Sequence, residues 1–352
     1  MRYLKKIPKP RSPEVIYLIT RVHGLRTHLF KPEDISSLSK ASDLSVIVEA
    51  LLKGDYAQDV SGIPFERMNA VSLTEVFYKK LADRFNFLLR MTRGSLGRFF
   101  KDYAKRLEVE NIKRILRAKH GKETITEELL VPIPREYTNV NFPAMIVAKD
   151  LEESVGILKE TIYAPLIDSI ELYKKYNTTL VFEGVLESIY FEELWRDAKK
   201  LSDNEVKKRI GKEMDLKNLI LILGLKAKNM PAELIEASLI KTYYKLNKRI
   251  ASSLAKERAE SIFDAVTRTY YRKYLSGLRD EIEKGTISEI EHSVFNSLYH
   301  EDLKTMHEKP FKLVFVIAYL SLCEFEARNI TTIATGRQLG LTEDKLRSIL
   351  YT

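Results

Sequence analysis

Three cations in this sequence stand where they could meet one anionic partner together. Lys119, Lys226 and Arg337 each lie eight residues past an asparagine: Asn111, Asn218 and Asn329. Three places before each asparagine is an acid, Glu108, Asp215 or Glu326. After it come Ile or Leu at the next position and Ile three further on. The chemistry on offer is ion pairing and hydrogen bonding. On a helix the acid and the asparagine share one face, and the flanking apolar residues put that face at the edge of a core. A buried amide there must be hydrogen-bonded, so acid and asparagine are expected to fasten each helix to a neighbouring helix end within the same unit. The cations sit just past the helix, where side chains reach solvent. A helix C-terminus favours a cation on its own account, so a structural role competes with partner contact.

Asn111, Asn218 and Asn329 recur at nearly equal intervals. The offset from the first to the second recurs elsewhere: Ala41, Asp43, Leu44, Val48, Leu51 and Tyr56 are matched at that same offset by Ala148, Asp150, Leu151, Val155, Leu158 and Tyr163. A looser third copy ends at Tyr271. Self-similarity at a fixed period marks a repeat architecture. The chain therefore reads as three related units, 14–137, 138–246 and 247–352, and Tyr56, Tyr163 and Tyr271 read as core residues whose hydroxyls find partners at an edge.

The elements that position these residues are helical. Apolar spacing predicts helices over 14–30, from Pro32, and around Val46 to Leu51, with long ones from Val71 to Met91 and Phe99 to Ala118. Thr126, Pro231 and Thr342 mark the starts of short helices after each basic turn. Prolines 132, 134 and 143 interrupt the chain between units one and two. No Pro or Gly falls between Ala232 and Leu275, which predicts a long helix bridging units two and three. Residues 1–13, with Pro8, Pro10 and Pro13, read as an irregular lead-in. No run alternates long enough for a sheet. The fold class is all-α.

Composition narrows the function. Gly is 14 and Pro 11 of 352 residues, few breakers for a chain of this length. One cysteine, Cys323, excludes an internal disulfide and suits a reducing compartment, and six unclustered histidines give no metal-site spacing; no cofactor is expected. The longest apolar run, Leu313 to Cys323, is too short to span a bilayer and reads as a buried helix. No secretory segment follows Met1, and the chain is expected to be soluble or peripheral to a membrane. Phosphate loops, nucleophile elbows and zinc-protease motifs are absent. The net charge is +9, and eleven Lys or Arg against three acids between Arg90 and Lys122 carry most of it. Such a field favours acidic partners.

Three helical units carrying Glu108 to Lys119, Asp215 to Lys226 and Glu326 to Arg337, with Asp43 to Tyr56 and Asp150 to Tyr163 as repeated helices, resemble the C subunit of the archaeal A-type ATP synthase, the counterpart of the d subunit of the vacuolar ATPase. The resemblance covers nearly the whole chain. It implies a funnel of three helical bundles about a pseudo-threefold axis and a non-catalytic rotor part on the cytoplasmic face of the membrane. The partners it implies are the membrane proteolipid ring and the D and F subunits of the central stalk, and it leaves the coupling ion, proton or sodium, open. Repeated surfaces suit a ring-like partner. In that setting Lys119, Lys226 and Arg337 would meet the stalk foot. The rival is a basic α-helical scaffold binding RNA or DNA through 90–122, with Phe99, Phe100 and Tyr103 for stacking. A further alternative is an enzyme with an unmarked pocket between units.

Overall fold

The computed structural model describes residues 13–352; the lead-in up to residue 12 lies outside them. Among the described residues there is no strand, and no helix is long and apolar enough to cross a membrane. After α1 (Pro13–Leu25) the frame is three hairpins of long helices. They are α2 (Ala70–Met91) with α3 (Gly94–Gly121), α4 (Leu180–Lys200) with α5 (Asn204–Ala227), and α6 (Ile287–Glu308) with α7 (Leu313–Gln338). Short helices fill the intervals. The second helix of each hairpin carries an asparagine motif.

Local chemistry starts these helices. The Asn69 side chain accepts the N–H groups of Val71 and Ser72, while the Ser72 hydroxyl takes the Asn69 N–H, a reciprocal cap on α2. The Asp203 carboxylate caps α5 through the N–H groups of Glu205 and Val206. Both satisfy donors that a helix start leaves open. Thr342 caps the short helix Glu343–Arg347 in the expected way. Thr126 does not: it precedes a single 3-10 turn, Glu127–Leu129, and makes no side-chain cap bond. The run Leu313 to Cys323 is buried on every side as the first turns of α7, packed by α1, α2 and α6.

The bridging helix expected over 232–275 is not formed. The stretch is broken into the helices Ala232–Ser238, Lys248–Lys256, Ile262–Thr267 and Arg272–Leu275. The breaker comes from α5. Asn218 takes the N–H of Ile240 on its Oδ1 at 2.9 Å and donates its amide to the Ile240 carbonyl at 3.1 Å. Asp215 accepts the N–H groups of Tyr244, Lys245 and Leu246 at 3.0, 2.6 and 2.8 Å. Backbone groups spent on these side chains are not spent on a helix, and tertiary partners outweigh local propensity. Two glycines let the segment lie close. A Cβ on Gly184 of α4 would stand 1.9 Å from the Ser238 carbonyl, and one on Gly211 of α5 would stand 2.4 Å from the Tyr244 ring.

The asparagine tie recurs in each unit. Asn111 exchanges the same pair of bonds with Val131, N–H at 2.9 Å and carbonyl at 2.8 Å. Asn329 does so with Tyr351, again at 2.9 and 2.8 Å. Each tie pins the chain 20 or 22 residues downstream to its own helix. Replacing Asn218 by Leu leaves both buried backbone groups of Ile240 unpaired and is expected to cost about 2–4 kcal/mol, read by denaturant unfolding. A loss within about half a kcal/mol, the level of an exposed surface change, would show that the amide carries no load.

Candidate functional site

The acids of the motif face the following unit. Glu108 accepts the hydroxyls of Thr138 at 2.6 Å and Tyr163 at 3.2 Å. Asp215 accepts the Tyr271 hydroxyl at 2.7 Å. Glu326 accepts the Tyr56 hydroxyl at 2.8 Å, Arg84 at 2.6 Å and the Phe30 N–H at 2.6 Å. All three acids therefore reach a tyrosine outside their own unit, while Asp215 also holds backbone N–H groups within it, so acid and asparagine act together within one unit only at Asp215 and Asn218. The three tyrosines are buried, and burial next to a carboxylate pushes the hydroxyls of Tyr56, Tyr163 and Tyr271 well above the usual range. They stay protonated and donate. Burial raises Glu108, against the opposing hydroxyls of Thr138 and Tyr163.

The three cations run in the same direction. Lys119 donates to the carbonyls of Ile146, at 2.6 Å, and Ala148, where the short helix Phe142–Val147 ends. Lys226 donates to the carbonyl of Glu257, at the end of Lys248–Lys256. Arg337 donates to Ser39, at the end of Pro32–Leu38, and to Leu341 at 3.0 Å. Each cation thus caps the C-terminus of a helix in the next unit, where open carbonyls and the helix dipole attract positive charge. The ties form a closed cycle. Unit one holds unit two, unit two holds unit three, and unit three holds unit one, although the last pair is not joined by the chain.

Between the hairpins the helices α3, α5 and α7 meet at charged positions that the repeat relates. Arg106 of α3 pairs with Glu213 of α5 and lies 3.1 Å from Glu324 of α7. These three positions are spaced as the three asparagines are. One turn on, Glu110, Lys217 and Arg328 are the next related set. Burial raises the Glu110 carboxyl, but Arg114, Arg328 and Lys113 outweigh it and hold the group far below the carboxylate range. Glu187 of α4 accepts Lys113 and, at 2.6 Å, Lys217. Arg209 joins Glu213 and Asp302, each at 2.8 Å. Arg106 beside Glu324, with Glu110 in the field of Arg328 one turn on, sets α3 alongside α7 with their related positions level. Against the second of these layers lies a cleft of about 190 Å³ whose lining includes Glu110, Lys217 and Arg328 of that layer together with Arg117, Leu221 and Ile287.

This axial set was not among the residues singled out from the sequence. The signal was present: the residue before each asparagine is charged in all three copies, as is the residue two before each acid, and the signs are mixed within each set. The basic run from Arg90 to Lys122 is correspondingly depleted. Lys105, Arg106, Lys113, Arg114 and Arg117 are all ion-paired inside the molecule. Phe99, Phe100 and Tyr103 are buried, which removes the stacking platform expected of a nucleic-acid binder. Among the described residues no group of His, Cys, Asp and Glu is placed to hold a metal ion.

A model of the ATP synthase (C/AC39) subunit family matches residues 18–349. This chain belongs to that family. Among its relatives are proteins named as the C subunit of A-type ATP synthase. The one from Methanosarcina mazei is 26% identical over 353 residues, 97% of this chain and 94% of the relative. The one from Methanocaldococcus jannaschii is 24% identical over 342 residues, 96% of this chain and 86% of the relative. The one from Haloquadratum walsbyi is 24% identical, covering 96% and 97%. The match runs through all three asparagine helices, so the motif residues and the charged layers lie within the family's span, and only Tyr351, the partner of Asn329, lies past it.

The axial layers set a pH dependence. Burial pushes the Glu187 carboxyl up, but Lys113 and Lys217 outweigh it and hold it at about 2. An unfolded glutamate titrates near ~4.3. Since the folded value is the lower one, the stabilisation is fully present above the unfolded value and is lost as pH falls toward 2. Glu187→Gln should destabilise the protein at neutral pH by about 3 kcal/mol or more, because Lys113 is left buried without its partner. It should also flatten the acid limb of the stability curve. Denaturant unfolding across that range checks both, and an unchanged acid limb would show that this carboxylate does not drive the loss.

Proposed function

We propose that this chain is a non-catalytic socket in the central rotor of an A/V-type ATP synthase. In this reading it lies peripherally on the cytoplasmic face of the membrane. It joins the proteolipid ring to the D and F subunits of the central stalk, so that ion-driven rotation reaches the ATP-making head. The observation that carries the reading is the closed cycle of ties around charged helix layers, in a chain that belongs to an ATP synthase subunit family. A torque-bearing part must not shear between its pieces. Here each unit grips the next through a buried acid–tyrosine bond and a capped helix end, and close-packed interiors transmit strain. Lys119, Lys226 and Arg337 enter this reading as staples between the units rather than as a contact for the stalk. The cleft against the second charged layer is the seat assigned to the stalk foot.

The test is reconstitution. The purified chain should co-elute with stalk subunits and co-sediment with the proteolipid ring. Leu221→Arg, on the half-buried wall of the cleft, should weaken stalk binding about tenfold, ~1.4 kcal/mol, while ring binding persists. Failure of the parent to associate with either partner at low salt overturns the reading. Normal stalk binding by the variant moves the seat elsewhere.

A further inference from the structure

The turns of the three long hairpins lie at one end of the molecule. Lys309, in the turn before α7, pairs with Glu205 at the start of α5. The Glu14 carboxylate of α1 accepts the N–H of Arg93, in the turn before α3. At the other end of α1, His23 stands 2.8 Å from the Pro310 carbonyl and stacks on Phe315 at a centroid distance of 4.4 Å. So α1 bridges the first turn to the third, and the Lys309 pair joins the third to the second. Each turn presents exposed cations: Arg90, Arg93 and Arg98 at the first, Lys199 and Lys208 at the second, Lys312 at the third. The acids there already have partners: Glu14 holds the Arg93 N–H, Asp203 caps α5, Glu205 pairs with Lys309 and Glu308 with Lys304. Beside these cations stand apolar side chains with no cover. Phe311 is 69% exposed in the third turn, and Ile16 and Tyr17 on α1 are each 54% exposed.

We propose that this end of the molecule lies on anionic phospholipid headgroups. Cations distributed over three separate turns suit a diffuse sheet of negative charge rather than one acidic protein patch, and Lys and Arg near an anionic leaflet are attracted additively. An exposed tyrosine among cations has the amphipathic character that partitions to the headgroup level, and the exposed phenylalanine adds apolar surface beside it. The proposal rests on the rotor reading only in that the reading sets one end of the chain against a membrane. It adds that the lipid itself is a contact, independent of the proteolipid ring.

The probe is protein-free vesicles, of phosphatidylcholine alone or with a quarter of the lipid replaced by phosphatidylglycerol. The full chain should co-sediment with the anionic vesicles and not with the neutral ones, and added salt should release it. A combined Arg90→Gln, Arg93→Gln, Arg98→Gln, Lys199→Gln, Lys312→Gln variant should bind more weakly by roughly a thousandfold or more, on the order of tenfold for each ~1.4 kcal/mol of lost attraction, and Phe311→Ser alone severalfold. Lys256→Gln with Lys345→Gln, exposed cations beyond the far ends of α5 and α7, should bind as the parent does. Circular dichroism and gel filtration confirm that each variant is folded. Equal binding to both vesicle types, or equal loss in the far-end control, overturns the proposal. So does a chain that joins the ring but ignores anionic vesicles, which would leave the rotor reading intact and make the turns a protein contact. A chain that binds anionic vesicles through these cations but assembles with neither ring nor stalk would support the lipid contact and sink the rotor reading instead.

Discussion

A carboxylate taken out of water must be met by donors, and in this chain three of them are placed so that a tyrosine of the following unit supplies one. Glu108, Asp215 and Glu326 each sit on the second helix of a hairpin and each receives the hydroxyl of Tyr163, Tyr271 or Tyr56. Leaving such an acid unpaired costs several kcal/mol, so the hairpins are obliged to associate in one order. The third bond closes the order on itself. Glu326 near the C-terminus binds Tyr56 and Arg84 from the first unit, and there the extra guanidinium stands where the other two joints have chain continuity.

The same helices use their remaining faces differently. The asparagine pins its own downstream segment, the cation in the helix's last turns reaches forward and caps a helix of the next unit, and the charged residues before them meet between the hairpins. An ionic axis is a costly choice, since desolvation offsets much of the attraction between buried charges. What it confers is register. A slide of α7 by one turn past α3 would set Arg106 against Arg328 in place of Glu324, so slippage along the axis meets like-charge repulsion. For a part held to carry torque, resistance to slippage matters more than maximal stability.

In the basic run, Arg106 and Lys113 are ion-paired in the charged layers between the hairpins, and Lys105, Arg114 and Arg117 are ion-paired beside them. Of the exposed remainder, Arg90, Arg93 and Arg98 lie at the first hairpin turn, Lys101 follows one turn further along α3 and Lys122 stands past its far end. One cluster of cations in the sequence thus divides into an interior set and a surface set, and only the second is free to meet a partner.

Much was determined by the sequence alone. The threefold recurrence of the asparagine motif, the all-helical class, the buried run Leu313 to Cys323 and the break at the prolines between units one and two follow from residue types and spacing. These features depend on local periodicity or on a residue's own backbone limits, which act wherever the residue sits. The family resemblance rested on the same repeated motifs. What only the tertiary structure decided is who meets whom. The stretch from Ala232 to Leu275 has helical composition throughout, yet Asp215 and Asn218 take its backbone groups and break it. The motif acid and its asparagine share a helix face, yet each acid reaches a tyrosine of the next unit while each asparagine holds only its own unit. Lys119, Lys226 and Arg337 stand at positions where a side chain reaches solvent, and instead find carbonyls of a neighbouring helix end. In each case the deciding partner lies well beyond the reach of local periodicity, from the next short segment to the opposite end of the chain. Side chains that distant from one another in sequence come together only once the helices have packed.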